Sequence, residues 1–191
     1  LRKAVAGGIT HGMTQGHTII SATLDDAAEI AAIYAHHVLH GVATFEVEPP
    51  SAAEIARRIG HVLAGGYPWL VARDGAGAIV GYAYAGQFHP RAAYRYTCED
   101  SIYLRHDRLG QGIGAALLAA LIAATEAAGL RQMIALIVAE EGGSVPLHRR
   151  FGFAEIGRMT AVGRKHGRWL DVITMQRALG VGDTAPPSEE P

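Results

Sequence analysis

Between Thr97 and Ala128 the chain passes from a β-type segment, Cys98-Glu99-Asp100-Ser101-Ile102-Tyr103-Leu104, through Leu109-Gly110-Gln111-Gly112-Ile113-Gly114, into an apolar helix expected over Ala115 to Ala128. This order constrains the fold more than any other stretch. Glycines let the backbone approach a ligand closely and turn several N–H groups the same way. The first turn of a helix adds unpaired donors and the positive end of its dipole. Strand, glycine turn and helix together predict an anion site, and a pyrophosphate suits it. Gly129 is placed as the helix stop.

Around this centre the remaining segments read as alternating elements. Thr18 to Ala22 forms a short strand. Thr23 and Asp26 form a capping box that starts a helix with Ile30, Ile33, Tyr34, His37 and Val38 on its apolar side. His36 and His40, one turn apart on that helix, are read as surface or helix-end histidines rather than a metal pair, since no carboxylate or cysteine completes a ligand set. A second box, Ser51 with Glu54, starts a helix carrying Ile55, Ile59, Val62 and Leu63. On the loop between these helices Phe45 and Glu46 either line a pocket or sit exposed.

Pro68 to Ala72 and Ala78 to Tyr84 are strands joined by the hairpin signal Asp74-Gly75-Ala76-Gly77. The polar loop from Gly86 to Tyr96 carries His89, Arg91, Tyr94 and Arg95, where two arginines either grip an acidic group or are simply solvated. Gln132 to Val138 reads as a buried strand and Ser144 to Arg150 as a short helix. Two last strands, Ala154 to Val162 and Trp169 to Gln176, flank a basic turn from Gly163 to Arg168. The order β-α-α-β-β-β-α-β-α-β-β predicts an α/β domain with a sheet of mixed direction. Residues 18–180 form that domain. Residues 1–17 are expected to be a leader outside it, and 181–191, rich in Pro and Glu, a disordered tail.

The chain has 191 residues and a formal charge of −1, with no polybasic run, so nucleic acid is not an expected partner. No apolar stretch is long and charge-free enough to span a bilayer, and no secretory signal opens the sequence. A soluble, cytoplasmic protein is the expectation. The single cysteine, Cys98, is read as buried filler.

A dinucleotide-binding domain would need Gly-x-Gly-x-x-Gly early in a repeated βαβ unit. Here Gly110-x-Gly112-x-Gly114 lies past mid-chain behind three antiparallel-looking strands. The pattern Leu109-x-x-Gly112-x-Gly114 instead resembles motif A of the GCN5-related N-acetyltransferases. Further blocks are similar to the phosphinothricin and methionine sulfoximine N-acetyltransferase branch of that superfamily: Ala43-Thr44-Phe45-Glu46 with Glu48-Pro49-Pro50, Gly81 to Tyr84, Arg91 with Ala93-Tyr94-Arg95, Thr97 with Glu99 to Tyr103, Leu147-His148 with Phe151-Gly152-Phe153, and Val162-Gly163 through Asp171. The resemblance covers nearly the whole domain.

This resemblance implies a GNAT fold, with acetyl-CoA bound at a splayed pair of strands as co-substrate and no metal. It implies transfer of acetyl to the α-amino group of a small amino acid analogue: phosphinothricin, methionine sulfoximine or methionine sulfone. Backbone groups of Ile102, Tyr103 and Leu104 would hold the pantetheine, and those of Gly110, Gln111, Gly112, Ile113, Gly114 and Ala115 the pyrophosphate. Glu99 is the expected general base, with an ion pair to Arg95 as the other reading. His148 acts as acid, positions a water, or packs. Phe45, Glu46, His89, Arg91, Tyr94, Arg95, Asp100 and Ser101 are the expected substrate contacts. Members of the branch are homodimers, and Trp169 is read as packing near that contact.

Three positions depart from the family pattern. Leu109 stands where Gln or Arg is usual, with Arg108 beside it to supply charge. Glu141 occupies the place of a coenzyme-contacting Asn and is retained as a cofactor residue, although a carboxylate only accepts. His89 replaces a usual Arg or Lys. Two other functions therefore stay open: an acetyltransferase for another amino acid or a polyamine, and a non-catalytic acyl-CoA sensor.

Overall fold

The computed structural model describes residues 13, 14 and 16–187. Eight strands form one sheet in the order β1-β2-β3-β4-β5-β6-β8-β7. In chain order these are β1 (Met13–Thr14), β2 (His17–Ser21), β3 (Trp69–Arg73), β4 (Ile79–Gln87), β5 (Thr97–Leu104), β6 (Gln132–Val138), β7 (Ala154–Lys165) and β8 (Arg168–Ala178). Helices α1 (Ala27–His40) and α2 (Ala52–Ala64) precede β3, α3 (Ile113–Ala127) follows β5, and α4 (Ser144–Arg150) follows β6. Every neighbouring pair is antiparallel except β5 with β6, which is parallel.

Strand alternation builds two apolar layers. Trp69 and Val71 of β3 pack with Ile30, Ile33, Ile55 and Ile59 of α1 and α2. Leu70 and Ala72, pointing the other way, join Leu117, Leu118 and Leu121 of α3. The mixed α/β sheet flanked by helices is the architecture expected from the sequence. Several boundaries differ. Helix α3 opens at Ile113, two residues earlier than expected, because Gly112 takes a left-handed conformation (φ 77°) and already serves as its N-cap. Leu63, assigned to the apolar side of α2, is exposed. The basic turn expected over Gly163 to Arg168 shrinks to His166 and Gly167: both have positive φ (48° and 75°), the geometry of a two-residue hairpin, and Gly163 to Lys165 extend β7.

Residues 1–12 of the expected leader lie outside the described residues, and Met13 and Thr14 pair with Thr18 and His17. At the other end Val181 to Asp183 follow as a turn, with the Thr184 N–H donating to the Val181 carbonyl (3.0 Å), and Thr184 to Pro187 continue without helix or strand. The rest of the expected tail, 188–191, lies outside the described residues. Among the described residues, no helix is long and apolar enough to cross a membrane.

The Thr23 capping box forms, but it caps a single 3-10 turn, Leu24–Asp26, that α1 continues. Its Asp26 carboxylate accepts from the Thr23 N–H (2.7 Å) and pairs with Arg73 at the end of β3. One buried carboxylate thus joins a helix start to a strand end. Asp26→Ala would uncap the turn and leave Arg73 only the Gly77 carbonyl and the more distant Glu29 (3.6 Å), and a loss of about 2 kcal/mol is expected; urea unfolding with an unchanged slope checks it.

Candidate active site

Strand β5 pairs with β6 only at Thr97, Cys98 and Glu99, opposite Gln132, Met133 and Ile134. Beyond that point the two part. β5 stays with β4 as far as Leu104 opposite Gly81, and β6 stays with β8 as far as Val138 opposite Val172. Between them opens a cavity of about 400 Å³, lined by Glu99 to Tyr103 of β5, by the second half of β6, and by Glu141, Ser144 and His148. Ala43, Phe45, Met159, Val162 and Val172 complete the wall.

The register shows which backbone groups face this gap. The Arg105 N–H donates to the Val80 carbonyl (2.9 Å), and β4 and β5 stay in step through Gln87 opposite Cys98. Backbone groups of Tyr103, Ser101 and Glu99 therefore turn toward β4, and those of Leu104, Ile102 and Asp100 toward the gap. His37 Nε2–H donates to the Leu104 carbonyl (2.8 Å). The Ile102 N–H and carbonyl are left as an unpaired strand edge beside the cavity, ready for an extended ligand to add as a strand.

At the far end of β5 the glycine turn leads into α3. Gly110 and Gly112 both have positive φ (73° and 77°), which glycine alone adopts without cost. The first bond of the helix runs from the Ala116 N–H to the Gly112 carbonyl (3.1 Å), so the N–H groups of Ile113, Gly114 and Ala115 lie in the unpaired first turn. A Cβ at Gly112 would meet nothing within 4 Å, which leaves open space beside these donors. Arg108, expected to make up for Leu109, instead pairs with Asp74 of the β3–β4 hairpin (3.2 Å). The donors of the turn are backbone, and Leu109 is exposed.

The structure brings Glu99, Asp100, Ser101, Glu141 and His148 to one cavity. Burial, and then the adjacent Asp100 carboxylate, push the Glu99 carboxyl above its ordinary value. Asp100 and His148 are both buried and form a pair: Nε2 of the ring lies 2.9 Å from Asp100 Oδ2, and Nδ1 lies 2.8 Å from the Ser144 carbonyl. A carbonyl only accepts, so Nδ1 carries a proton. Nε2 then faces a carboxylate, and the contact is attractive only with a second proton shared between ring and carboxyl. Burial opposes a charge on His148, but the bond and charge of Asp100 outweigh it, and the ring's pKa is raised. Asp100, expected among the substrate contacts, thus has one oxygen committed to His148. Cys98 is buried, its thiol pushed up to about 12 by burial and by Asp100, which fits the reading as filler.

The acceptor-side residues divide. Phe45 is on the cavity wall. Glu46, beside it, is turned away, accepting from Arg58 (2.7 Å) and from the Tyr34 hydroxyl (3.0 Å). His89, Arg91, Tyr94 and Arg95 stay on the loop after β4 and do not reach the cavity lining. His89 Nδ1 accepts the Arg91 N–H (3.3 Å), its ring lies against Tyr94, and Arg95 stacks over Tyr96. His36 stacks on His106, with ring centroids 4.0 Å apart. Sequence reasoning missed Ser144 and the apolar wall of Met159, Val162 and Val172, because nothing local in the sequence marks strands that meet only through the fold.

Residues 19–174 match the family model described as an acetyltransferase (GNAT) domain. The chain belongs to the GNAT acetyltransferase family. It is 49% identical over 166 residues to the phosphinothricin N-acetyltransferase of Alcaligenes faecalis, covering 85% of this chain and 83% of that one. It is 40% identical over 169 residues to the L-methionine sulfoximine/L-methionine sulfone acetyltransferase of Pseudomonas aeruginosa, covering 88% and 98%. The solved structure of a phosphinothricin acetyltransferase from Sinorhizobium meliloti, in complex with acetyl-CoA, superposes with a TM-score of 0.89 at 48% identity, covering 92% of this chain and 95% of that one. Acetyl-CoA is the acetyl donor of such an enzyme, and the residues here fit it: a free strand edge suits its amide-bearing arm, and the first-turn donors of α3 suit its pyrophosphate.

The Asp100–His148 pair carries a pH signature. With the ring's folded pKa raised, its contribution to stability is full below the ordinary histidine value of 6.5 and is lost as pH rises through the folded value. Asp100→Asn keeps a neutral partner for Nε2. Its stability deficit, about 2 kcal/mol, should be widest below that value and narrow above it, as urea midpoints across the pH range will show.

Proposed function

We propose that the chain acetylates the α-amino group of a small amino acid analogue of the phosphinothricin or methionine sulfoximine type, using acetyl-CoA. The observation that carries this reading is that a half-buried carboxylate, Glu99, shares one cavity with the unpaired edge of β5. An α-amino group is mostly protonated at neutral pH and cannot attack until it loses a proton. Glu99, its affinity for protons raised by burial, is suited to take that proton directly or through a water. The Ile102 N–H, already oriented toward the gap, meets the negative charge that develops on the thioester oxygen. The Asp100–His148 pair, on the wall of the same cavity, holds a proton that can pass to the departing thiolate.

Phe45, Met159 and Val162 give the acceptor's methylene groups an apolar wall. Its charged groups turn toward the loop of His89, Arg91 and Arg95, which follows Gln87, one residue past Gly86, the partner of Glu99. The enzyme works as a homodimer. The outer edge strand β7 leaves Ile156 exposed, and Trp169 beside it is 62% exposed, an apolar edge outside the cavity that a second copy would cover. A net charge of −1 agrees with small-molecule substrates rather than nucleic acid, and a lone buried cysteine agrees with the cytoplasm.

Two variants test the assignment. Glu99→Gln should lower kcat by about 10²- to 10⁴-fold and leave acetyl-CoA affinity unchanged in calorimetry. Equal kcat would remove Glu99 from the reaction. Gly112→Val forces a branched side chain into a left-handed backbone beside the anion donors. It should weaken acetyl-CoA binding roughly 10- to 100-fold, and an unaltered dissociation constant would move the pyrophosphate elsewhere.

A further inference from the structure

Strand β7 leaves step with β8 beside the cavity. Met159 pairs with Val172 and Gly163 with Leu170, so Thr160, Ala161 and Val162 stand opposite Asp171 alone. Ala161 at the crest has φ 52°, a left-handed backbone unusual for a residue with a side chain. The bulge is held by Asp171. Its Oδ1 accepts the Ala161 N–H (2.8 Å), and its Oδ2 takes Nε and Nη2 of Arg158 (2.8 Å each). That N–H and then the guanidinium hold the Asp171 carboxyl below its ordinary value. Without an anion there, the N–H at the crest would lack its acceptor and Arg158 its partner.

The bulge has a consequence for the site. Met159, at one shoulder, and Val162, the last residue of the bulge, both line the cavity, although the edge strand is exposed from Ala154 as far as Val162. The next residue, Gly163, makes room for Phe45: a Cβ there would overlap the Phe45 ring. Three apolar side chains from two distant parts of the chain thus line one cavity with Glu99. Bulges re-aim side chains in this way next to active sites.

We infer that the Asp171-clamped bulge is the acceptor-selecting element of this enzyme: Asp171 and Arg158 are positioning residues that set Met159 and Val162 against Phe45, to enclose the apolar part of an amino acid side chain. The inference rests on the proposed acceptor class. It goes further in saying which residues measure the side chain and what holds them.

The experiment compares methionine sulfone with alanine as acceptors, for the unmodified enzyme, Val162→Ala and Asp171→Ala, alongside methyl NMR of Met159 and Val162 during titration with methionine sulfone in the presence of CoA. Both variants should lose about 10-fold of the preference for methionine sulfone, through KM for the acceptor, with KM for acetyl-CoA unchanged. Val162 is half-exposed, so its truncation tests the wall even if Asp171→Ala does not fold. The two methyl signals should shift on titration in the unmodified enzyme. Turnover with unaltered preference in Val162→Ala, or saturation without methyl shifts, would overturn the inference. If the unmodified enzyme acetylates no amino acid, the proposed function fails, and the wall is then judged by the methyl shifts alone: shifts retain it and their absence removes it.

Discussion

The structure depends on the parting of β5 and β6 after Glu99. Each strand has a faithful partner on its other side, β4 for β5 and β8 for β6, so the sheet survives with a gap in its middle. The gap leaves backbone donors and acceptors unpaired, each costing about 1–3 kcal/mol if buried dry. Such a gap must hold water or a polar, extended ligand. A thioester on an amide-bearing arm meets that demand, and the cavity exists because the sheet is left incomplete there. Helix α4 helps to keep it open, since His148 reaches from it to Asp100, the first residue past the fork.

Two adjacent carboxylates at such a fork would repel if both were bare. The strand sends Glu99 and Asp100 to opposite faces, and the fold treats them differently. Asp100 shares a proton with a ring whose other nitrogen is tied to the Ser144 carbonyl, so the pair as a whole is close to neutral. Glu99 keeps a face toward the cavity, and its burial raises its proton affinity toward the range in which a carboxylate serves as a base near neutral pH. Location alone separates the roles of two neighbouring acids.

What the sequence makes legible is local. The strand, glycine turn and helix from Cys98 to Ala127 are contiguous, and so are the capping box at Thr23, the Ser51 cap and the Asp74 hairpin; at Ser51 only half of the expected box forms, since the Glu54 N–H donates to the Ser51 hydroxyl but the Glu54 carboxylate pairs with Arg57 and Arg58. The site was harder to read where partners are remote. Asp100 and His148 are 48 positions apart, and Glu46 finds Arg58 on the next helix, which takes it off the cavity wall. The β7–β8 turn is shorter than its basic, glycine-bearing sequence predicts, because His166 takes a positive φ beside Gly167 and allows a tight hairpin. The bulge carries no glycine at its crest, only Ala161, and its clamp arrives from the opposite strand.

Asp171 joins these levels. Its backbone carbonyl accepts the Ala139 N–H (3.0 Å), just past β6, where the chain turns toward Glu141 and α4. Its side chain, on the other side, holds the crest of β7. One residue therefore fixes the loop at the rim of the gap and the apolar wall that lines one cavity with Glu99. Because β8 pairs with both β6 and β7, any change in the spacing of the fork is transmitted to the wall through a single strand. The two substrates of such an enzyme must meet at a fixed distance, and a shared strand sets that distance more rigidly than two independent loops would.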